Sequence, residues 1–134
     1  MQGKGNDMAD EFDIVDIVFD AVDMAGTGFV LYKDSSATGE PGNHITVRML
    51  VLNNLDAVSK APVNVNLFVK KKKNGMPDRQ TMKTAKRKVV AALKNITRPS
   101  GMYWKSRIVW SEPLGEAKEG FDCTNIRLEV ITEK

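Results

Sequence analysis

The stretch of residues 62–98 constrains the fold most strongly, because the spacing of its apolar side chains changes from that of a strand to that of a helix. Up to residue 69 every second side chain is apolar, which predicts a strand with one apolar face. From residue 78 to about residue 96 apolar residues recur every three or four positions, as in a helix that lies on a sheet. The apolar positions are Val63, Val65, Leu67 and Val69 in the strand, and Met82, Ala85, Val89, Ala92, Leu93 and Ile96 in the helix. The stretch therefore predicts a strand, a turn at residues 74–77 and a helix packed on the same sheet.

Positive charge is concentrated in the same stretch. Residues 70–98 contain eleven Lys or Arg against one acid, Asp78, although the whole chain has a formal net charge of only +3. Four of these cations are consecutive, from Lys70 to Lys73, and most of the others fall on the polar side of the predicted helix. Asp78 precedes that helix, where an aspartate is a favourable N-cap and complements the positive end of the helix dipole.

The N-terminal part of the chain is acidic instead. Residues 1–23 contain seven acids against Lys4, and residues 8–24 follow a helical pattern with aspartates on one side and apolar residues on the other. The aspartates are Asp13, Asp16, Asp20 and Asp23, and the apolar line is Phe12, Val15, Phe19 and Val22, widened by Ile14, Ile17 and Val18. This charge separation suits a chain that binds copies of itself or a polyanion, and two solvated faces would give the same pattern.

The remaining segments complete an α+β pattern. The predicted strands span residues 29–33, 44–53, 62–69, 103–110 and 124–132. Residues 34–43 form a Gly-, Ser- and Pro-rich loop, and residues 111–122 are rich in turn signals. Trp104 and Trp110 share one parity of their strand, so we expect both on the same face of the sheet. The order α-β-β-β-α-β-β predicts two helices on one face of a mostly antiparallel sheet, with the second and third strands as antiparallel neighbours.

Length and composition predict one domain. A chain of 134 residues with 42% hydrophobic residues can bury a single core, here expected over residues 8–134 after a flexible tail at residues 1–7. No apolar run approaches the roughly 20 residues of a membrane span, so no membrane partner is expected. The one cysteine, Cys123, cannot form a disulfide within the chain, which fits a reducing compartment.

The sequence predicts a protein that is not an enzyme and has no cofactor or metal ion. Its one histidine, His44, and its one cysteine, Cys123, are far apart in sequence, and neither lies in a cysteine-protease motif. One Cys and one His cannot complete a zinc site within a chain. We expect His44 to be a solvent-facing strand residue and Cys123 to be a small, partly buried residue at a strand start. A Cys–His pair stays open at this level.

The lysine run raises a second class of function. Lys70, Lys71, Lys72 and Lys73, next to a basic helix, would attract phosphates through counterion release. No aromatic residues are interleaved with these lysines for base stacking, and no known DNA- or RNA-binding motif is present. Lysines at the end of a strand also keep sheet edges and loops solvated. A solvated or partner-facing surface is therefore favoured over direct recognition of nucleic acid, which stays the alternative.

The order of the predicted helices and strands, and the composition of the loops between them, are similar to those of a known protein family. The acidic amphipathic helix is followed by a strand, a Gly/Ser/Pro-rich loop and a strand pair, and the second helix is introduced by the sequence Met-Pro-Asp-Arg at residues 76–79. The chain closes with two strands, the last containing Asn-Ile-Arg-Leu-Glu-Val at residues 125–130. From about Asp10 to Thr132 the chain resembles the small tail-completion or tail-terminator proteins of long-tailed bacteriophages, the head–tail joining group.

This resemblance implies a structural virion protein without a catalytic site. It implies a ring, commonly of six copies, that caps the tail tube and joins the neck or connector proteins at the head–tail junction, after assembly in the host cytoplasm. Genome DNA would pass through the lumen, near Lys70–Lys73, and the loops at residues 34–43 and 70–75 would reach neighbouring subunits or adjoining rings. We further expect the acidic helix of one copy to face the basic helix of the next. The expected interface residues are Asp13, Asp16, Asp20, Asp23, Lys83, Lys86, Arg87 and Lys88.

Overall fold

The computed structural model of the chain describes residues 10–55, 58–97 and 101–133. Its helices are α1 (Glu11–Met24) and α2 (Arg79–Leu93), and its strands are β1 (Val30–Lys33), β2 (His44–Met49), β3 (Asn53–Asn54), β4 (Val58–Lys70), β5 (Trp104–Lys118) and β6 (Phe121–Glu133). Apart from the two-residue β3, this is the α-β-β-β-α-β-β order expected from the sequence. The flexible tail predicted at residues 1–7 lies outside the described residues.

The strands form one sheet in the order β1-β2-β4-β6-β5, and β3 pairs with the early part of β4. β1 runs parallel to β2, and every other pairing is antiparallel, which confirms a mostly antiparallel sheet. The predicted neighbours β2 and β4 pair from His44 opposite Phe68 to Met49 opposite Val63. β1 and β5 are the two edges of this sheet.

Both helices begin at aspartate caps and lie side by side on one face of the sheet. At α1 the Asp10 carboxylate accepts from the Asp13 amide at 2.9 Å, and the Asp13 carboxylate accepts from the Asp10 amide at 3.1 Å. At α2 the predicted cap is confirmed, because the Asp78 carboxylate accepts from the Thr81 amide at 3.2 Å and from the Thr81 hydroxyl at 2.7 Å. These bonds satisfy amide groups that have no partner inside a helix.

The core lies between the helices and the sheet. β-strand residues of one parity, such as Val47, Val65 and Leu128, are fully buried there and pair across β2, β4 and β6. The helices contribute Ile14, Val15, Ile17, Val18 and Val22 from α1 and Ala85, Val89 and Leu93 from α2. Phe12 was expected in this apolar line, and it is 69% exposed instead. The buried stripe is centred on Ile14 and Val18, so Phe12 at the first turn projects away from it.

β5 is longer than expected and changes face along its length. The segment at 111–122 was predicted as turns, but the strand continues to Lys118. Pro113 lies within this strand. A proline is compatible with an edge strand, because the N–H that it lacks is not needed on the solvent side. A bulge between Ile108 and Trp110 shifts the register, so that Ile108 pairs with Leu128 and Trp110 with Arg127. Trp110 therefore lies on the face opposite the helices, and the expectation that Trp104 and Trp110 share a face is wrong.

Candidate assembly interface

The acidic side of α1 is exposed, and half of its aspartates have partners within the subunit. Asp13 belongs to the N-terminal cap, and Asp16 Oδ1 lies 2.7 Å from Lys33 Nζ, which is itself 4.9 Å from the centre of the Phe19 ring. The hydrogen bond to Asp16 raises the pKa of Lys33. Asp20 and Asp23 are exposed and form no salt bridge with any described residue. The C-terminal half of α1 therefore presents unpaired negative charge.

The predicted basic residues lie on the outer side of α2. Lys83, Arg87 and Lys88 are exposed and Lys86 is half-buried. Lys88 Nζ lies 3.4 Å from the backbone oxygen of Gly26, just after α1, and among the described residues it is the one basic side chain of this set with a hydrogen bond. Within residues 10–55, 58–97 and 101–133, no salt bridge joins an α1 carboxylate to a cation of α2 or of the lysine run. The two charged helices are therefore neighbours that do not neutralise each other.

The four consecutive lysines do not form one uniform surface. Lys71 Nζ lies 2.9 Å from Asp122 Oδ1 and 3.7 Å from Glu116 Oε1, and the bond to Asp122 raises the pKa of Lys71. Lys70, Lys72 and Lys73 are exposed. The segment after β4 is a tight turn closed by bonds from the Gly75 amide to the Lys72 oxygen at 2.8 Å and from the Lys72 amide to the Met76 oxygen at 2.9 Å. Three lysines, rather than four, remain available to a polyanion.

The loop at residues 34–43 is held against its own subunit by Glu40. One Glu40 oxygen accepts from the Tyr32 hydroxyl, and the other accepts from the Gly42 amide at 2.9 Å. The hydrogen bond from Tyr32 lowers the pKa of Glu40, and the same bond raises the pKa of Tyr32. This loop is therefore fastened near the start of β2, and its reach toward a neighbour stays a prediction.

A groove separates the first half of α2 from the paired ends of β5 and β6. It has a volume of about 530 Å³, and its apolar lining includes the buried Val69 and the half-buried Met82. Its cationic lining is Arg79, Lys83 and Lys86. Both of its acids are engaged, Asp78 as the cap of α2 and Asp122 with Lys71. No local sequence pattern predicts this groove, because its walls come from residues 69–86 and 111–124, two segments 25 residues apart that only the fold brings together.

The groove wall contains two unsatisfied polar atoms. Ser111 Oγ and Asp122 Oδ2 are buried and have no hydrogen-bond partner among the described residues. Buried polar atoms in folded proteins almost always have a partner, so these two atoms are positions where an incoming polar group can bond. The hydrogen bond from Thr81 lowers the pKa of Asp78, which keeps the cap at the groove entrance ionised.

On the face opposite the helices, polar side chains of three strands form a hydrogen-bonded ladder. Trp110 Nε1 donates to Asn125 Oδ1 at 2.8 Å, and Asn125 Nδ2 donates to Asn66 Oδ1 at 2.8 Å. In the next row, Arg127 Nε donates to Asn64 Oδ1 at 2.6 Å, and the Arg127 guanidinium lies 4.7 Å from the centre of the Trp110 ring. The ladder therefore gives hydrogen-bond partners to Asn64 and Asn66, which alternate with the buried apolar residues of β4.

His44 is fully buried, which corrects the expectation of a solvent-facing residue. Its ring stacks on Phe68 at 4.7 Å and meets the edge of Phe121 at 5.2 Å. Nδ1 lies 2.8 Å from the Gly42 oxygen and Nε2 lies 3.3 Å from Lys118 Nζ, so the neutral ring donates from Nδ1 and accepts at Nε2. Burial, reinforced by the charge of Lys118, lowers the pKa of His44. Phe121 and Lys118, which help to cover it, come from the β5–β6 hairpin, and no local pattern around His44 predicts this contact.

Cys123 is buried, more completely than expected, and stands apart from His44. Both residues pair with Phe68, on opposite sides of β4, so about two strand spacings or roughly 10 Å separate them. Burial raises the pKa of the Cys123 thiol to about 11. The Cys–His pair left open by the sequence is not formed. Among the described residues no three His, Cys, Asp or Glu side chains are grouped to hold a metal ion.

Neither helix of the described chain has the length and apolarity needed to cross a membrane.

No protein-family model matches the chain, and no curated protein matches it either. Among solved structures, the fold is similar to a chain of the structure entitled "Virion of native gene transfer agent (GTA) particle", with a TM-score of 0.63 at 10% sequence identity. The alignment covers 90% of this chain and 95% of that chain. This likeness shows the fold over nearly the whole length, and the tail-terminator resemblance drawn from the sequence stays a prediction.

Proposed function

We propose that this protein is a structural component of a phage-like virion and that its copies form a ring at the head–tail junction. The observation that supports a virion role is the fold. Over nearly its entire length, this chain has the same fold as a chain from a gene transfer agent virion. Because one fold serves many functions, the ring has to be argued from the surface of this chain.

The surface favours a contact between unlike faces of neighbouring copies. α1 presents Asp20 and Asp23, α2 presents Lys83 and Arg87, and the two sets form no salt bridge within the subunit. Each copy has a negative surface on α1 and a positive surface on α2, so the negative surface of one copy can attract the positive surface of the next. A contact between two different patches repeats around an axis and closes into a ring when the rotation permits. In such a ring Lys70, Lys72 and Lys73 are free to face the DNA that passes through the lumen.

The proposed role is not catalytic. The raised pKa of the buried Cys123 keeps its thiol protonated at neutral pH, where a thiol is a weak nucleophile. The neutral His44 uses both ring nitrogens in contacts with Gly42 and Lys118, so neither nitrogen points to a substrate.

The ring is tested by reversing charge on α2. In the triple variant Lys86→Glu, Arg87→Glu, Lys88→Glu, the outer side of α2 becomes acidic and repels α1 of the next copy. We expect loss of the assembled species in light scattering, with an unchanged circular dichroism spectrum. The matched control reverses three exposed lysines elsewhere, Lys70→Glu, Lys72→Glu and Lys73→Glu, and should assemble as the wild type does. An α2 variant that assembles normally would count against the proposed contact.

A second candidate is a small nucleic-acid-binding module, favoured by the three exposed lysines that follow β4. In this case binding to DNA would come from a monomer or dimer and would fall steeply with salt. The control variant of the previous experiment separates the two proposals. If Lys70→Glu, Lys72→Glu, Lys73→Glu abolishes DNA binding by a protein that never assembles, the nucleic-acid module is the better account.

A further inference from the structure

We infer that Phe12 of one copy docks into the groove beside α2 of the next copy, so that an aromatic anchor and not charge alone joins the subunits. This inference rests on the proposed self-assembly and specifies its central contact. It connects two features of the described residues, the exposed aromatic ring of α1 and the groove whose wall contains unsatisfied polar atoms.

Phe12 is poorly placed for a single subunit. It is 69% exposed in the first turn of α1, while five apolar residues that follow it on the helix are buried, namely Ile14, Val15, Ile17, Val18 and Val22. Neither of its neighbours Glu11 and Asp13 contributes apolar cover, because both are exposed acids. An exposed aromatic ring surrounded by charge has the composition of an interface anchor, since aromatic residues dominate the binding energy of protein interfaces.

The groove has the size and lining for such a ring. Its volume of about 530 Å³ falls in the range of pockets that enclose small ligands, so one phenyl ring fits with room for neighbouring main chain. Val69, Met82 and Pro113 provide apolar contact for the ring. The two orphaned atoms on the wall, Ser111 Oγ and Asp122 Oδ2, can bond to polar groups of the incoming helix turn.

Charge supports the same pairing. Phe12 is preceded by Asp10 and Glu11 and followed by Asp13 and Asp16, whereas the groove carries Arg79, Lys83 and Lys86. The groove's own acids do not cancel these cations, because Asp78 caps α2 and Asp122 binds Lys71. An apolar anchor with an acidic surround therefore meets an apolar groove with a basic surround.

The contact cannot form within one subunit. Thr27, just after α1, lines a second, smaller pocket together with Gln80 at the start of α2. Gln80 also lines the groove, so the C-terminal end of α1 is the end near the groove. Phe12 lies at the other end of a 14-residue helix, about 20 Å away. Anchor and groove therefore belong to different copies, and their contact is of the repeating kind that generates a ring.

The first test truncates the anchor. We expect Phe12→Ala to raise the dissociation constant for self-association by about 30-fold or more, as for other aromatic anchors, while leaving thermal unfolding of the subunit unchanged because the ring is exposed. The matched control is Val51→Ala, which truncates an apolar side chain that is 56% exposed and follows Leu50, whose amide bonds to Pro62 at the end of β4 away from Val69 and the groove, and it should associate like the wild type.

The second test locates the contact. Two single variants, Glu11→Cys and Gln80→Cys, are mixed under mild oxidation, and we expect a disulfide-linked heterodimer that a mixture of Glu11→Cys with Lys105→Cys does not give. Cys123 is buried and does not compete. If the wild type assembles but Phe12→Ala assembles equally well and no Glu11–Gln80 crosslink forms, the docking is wrong and the ring proposal stands. If the wild type does not assemble and the mixture of Glu11→Cys with Gln80→Cys yields no crosslink, both proposals fail.

Discussion

Trp110 Nε1 donates a hydrogen bond of 2.8 Å to Asn125 Oδ1, across the pair of strands that forms the edge of the sheet. The bond exists because the bulge after Ile108 turns Trp110 to the face opposite the helices. Asn125 passes the network on to Asn66 in β4. The long edge strand is thus fixed to the centre of the sheet by side chains as well as by its backbone ladder.

Asn125→Ala should destabilise the subunit. Asn125 is only 8% exposed. Without its side chain, Trp110 Nε1 loses its hydrogen-bond acceptor and Asn66 Oδ1 loses its donor. We expect the free energy of unfolding to fall by about 1 to 3 kcal/mol in urea titrations. Glu112→Ala, at the exposed position opposite Asn125 on β5, should change it by less than about 0.5 kcal/mol. Equal effects of the two substitutions would show that the ladder does not hold β5.

Stability should fall as the pH drops below neutrality, because of His44. The pKa of His44 is lowered in the folded state by burial, so at moderately acidic pH the unfolded chain binds a proton that the folded chain does not. The loss therefore begins near the ordinary histidine pKa of about 6.5 and grows until the lowered folded-state pKa is passed. Glu40, whose pKa is lowered by Tyr32, affects stability only in a more acidic range.

The measurement is urea unfolding at a series of pH values from 7.5 downward. His44→Gln retains hydrogen-bonding groups but does not titrate, and His44 is the sole histidine of the chain. The variant should lose most of the pH dependence above the range in which carboxylates titrate. A variant with the same pH profile as the wild type would mean that His44 is not the group responsible.

Lys71 should behave differently from the lysines on either side of it. Its salt bridges to Asp122 and Glu116 tie the end of β4 to the β5–β6 hairpin, so Lys71→Met should lower the urea midpoint, with a smaller effect at high salt. Lys72→Met, at an exposed position in the same turn, should leave the midpoint unchanged. If a DNA-binding surface exists, Lys72→Met should weaken it more than Lys71→Met does.

Cys123 should resist thiol reagents in the folded protein. The side chain is buried, so a reagent cannot reach the sulfur easily. Burial also raises the pKa of the thiol to about 11, so little of it is present as the reactive thiolate at pH 8. Reaction with a chromogenic disulfide should be slow in buffer and immediate in denaturing urea. Rapid stoichiometric reaction of the native protein would contradict the buried position and reopen a chemical role for this residue.

Local periodicity was sufficient to predict the fold class and the start of α2. The alternation Val63, Val65, Leu67 and the cap at Asp78 each depend on near neighbours in sequence, and both are confirmed. Predictions failed where distant segments decide the outcome. Phe12 fits the helical apolar line but lies outside the stripe that the sheet covers, and His44 is buried by a hairpin some 75 residues away.

The interface could be predicted only in part for the same reason. Spacing alone placed the aspartates on one side of α1 and the basic residues on one side of α2. The groove needs Val69, Met82 and Pro113 from three elements, so no single segment reveals it. A bulge is equally invisible in a sequence pattern, which is why the face of Trp110 was predicted wrongly.

Native mass spectrometry of the purified protein over a range of concentrations tests self-assembly most directly. The account predicts a species with one fixed copy number, as a closed ring of identical contacts requires, that dissociates when Phe12 is replaced by alanine or when Lys86, Arg87 and Lys88 are reversed. A single chain mass at every concentration would contradict it, and so would an open series of masses without a preferred copy number.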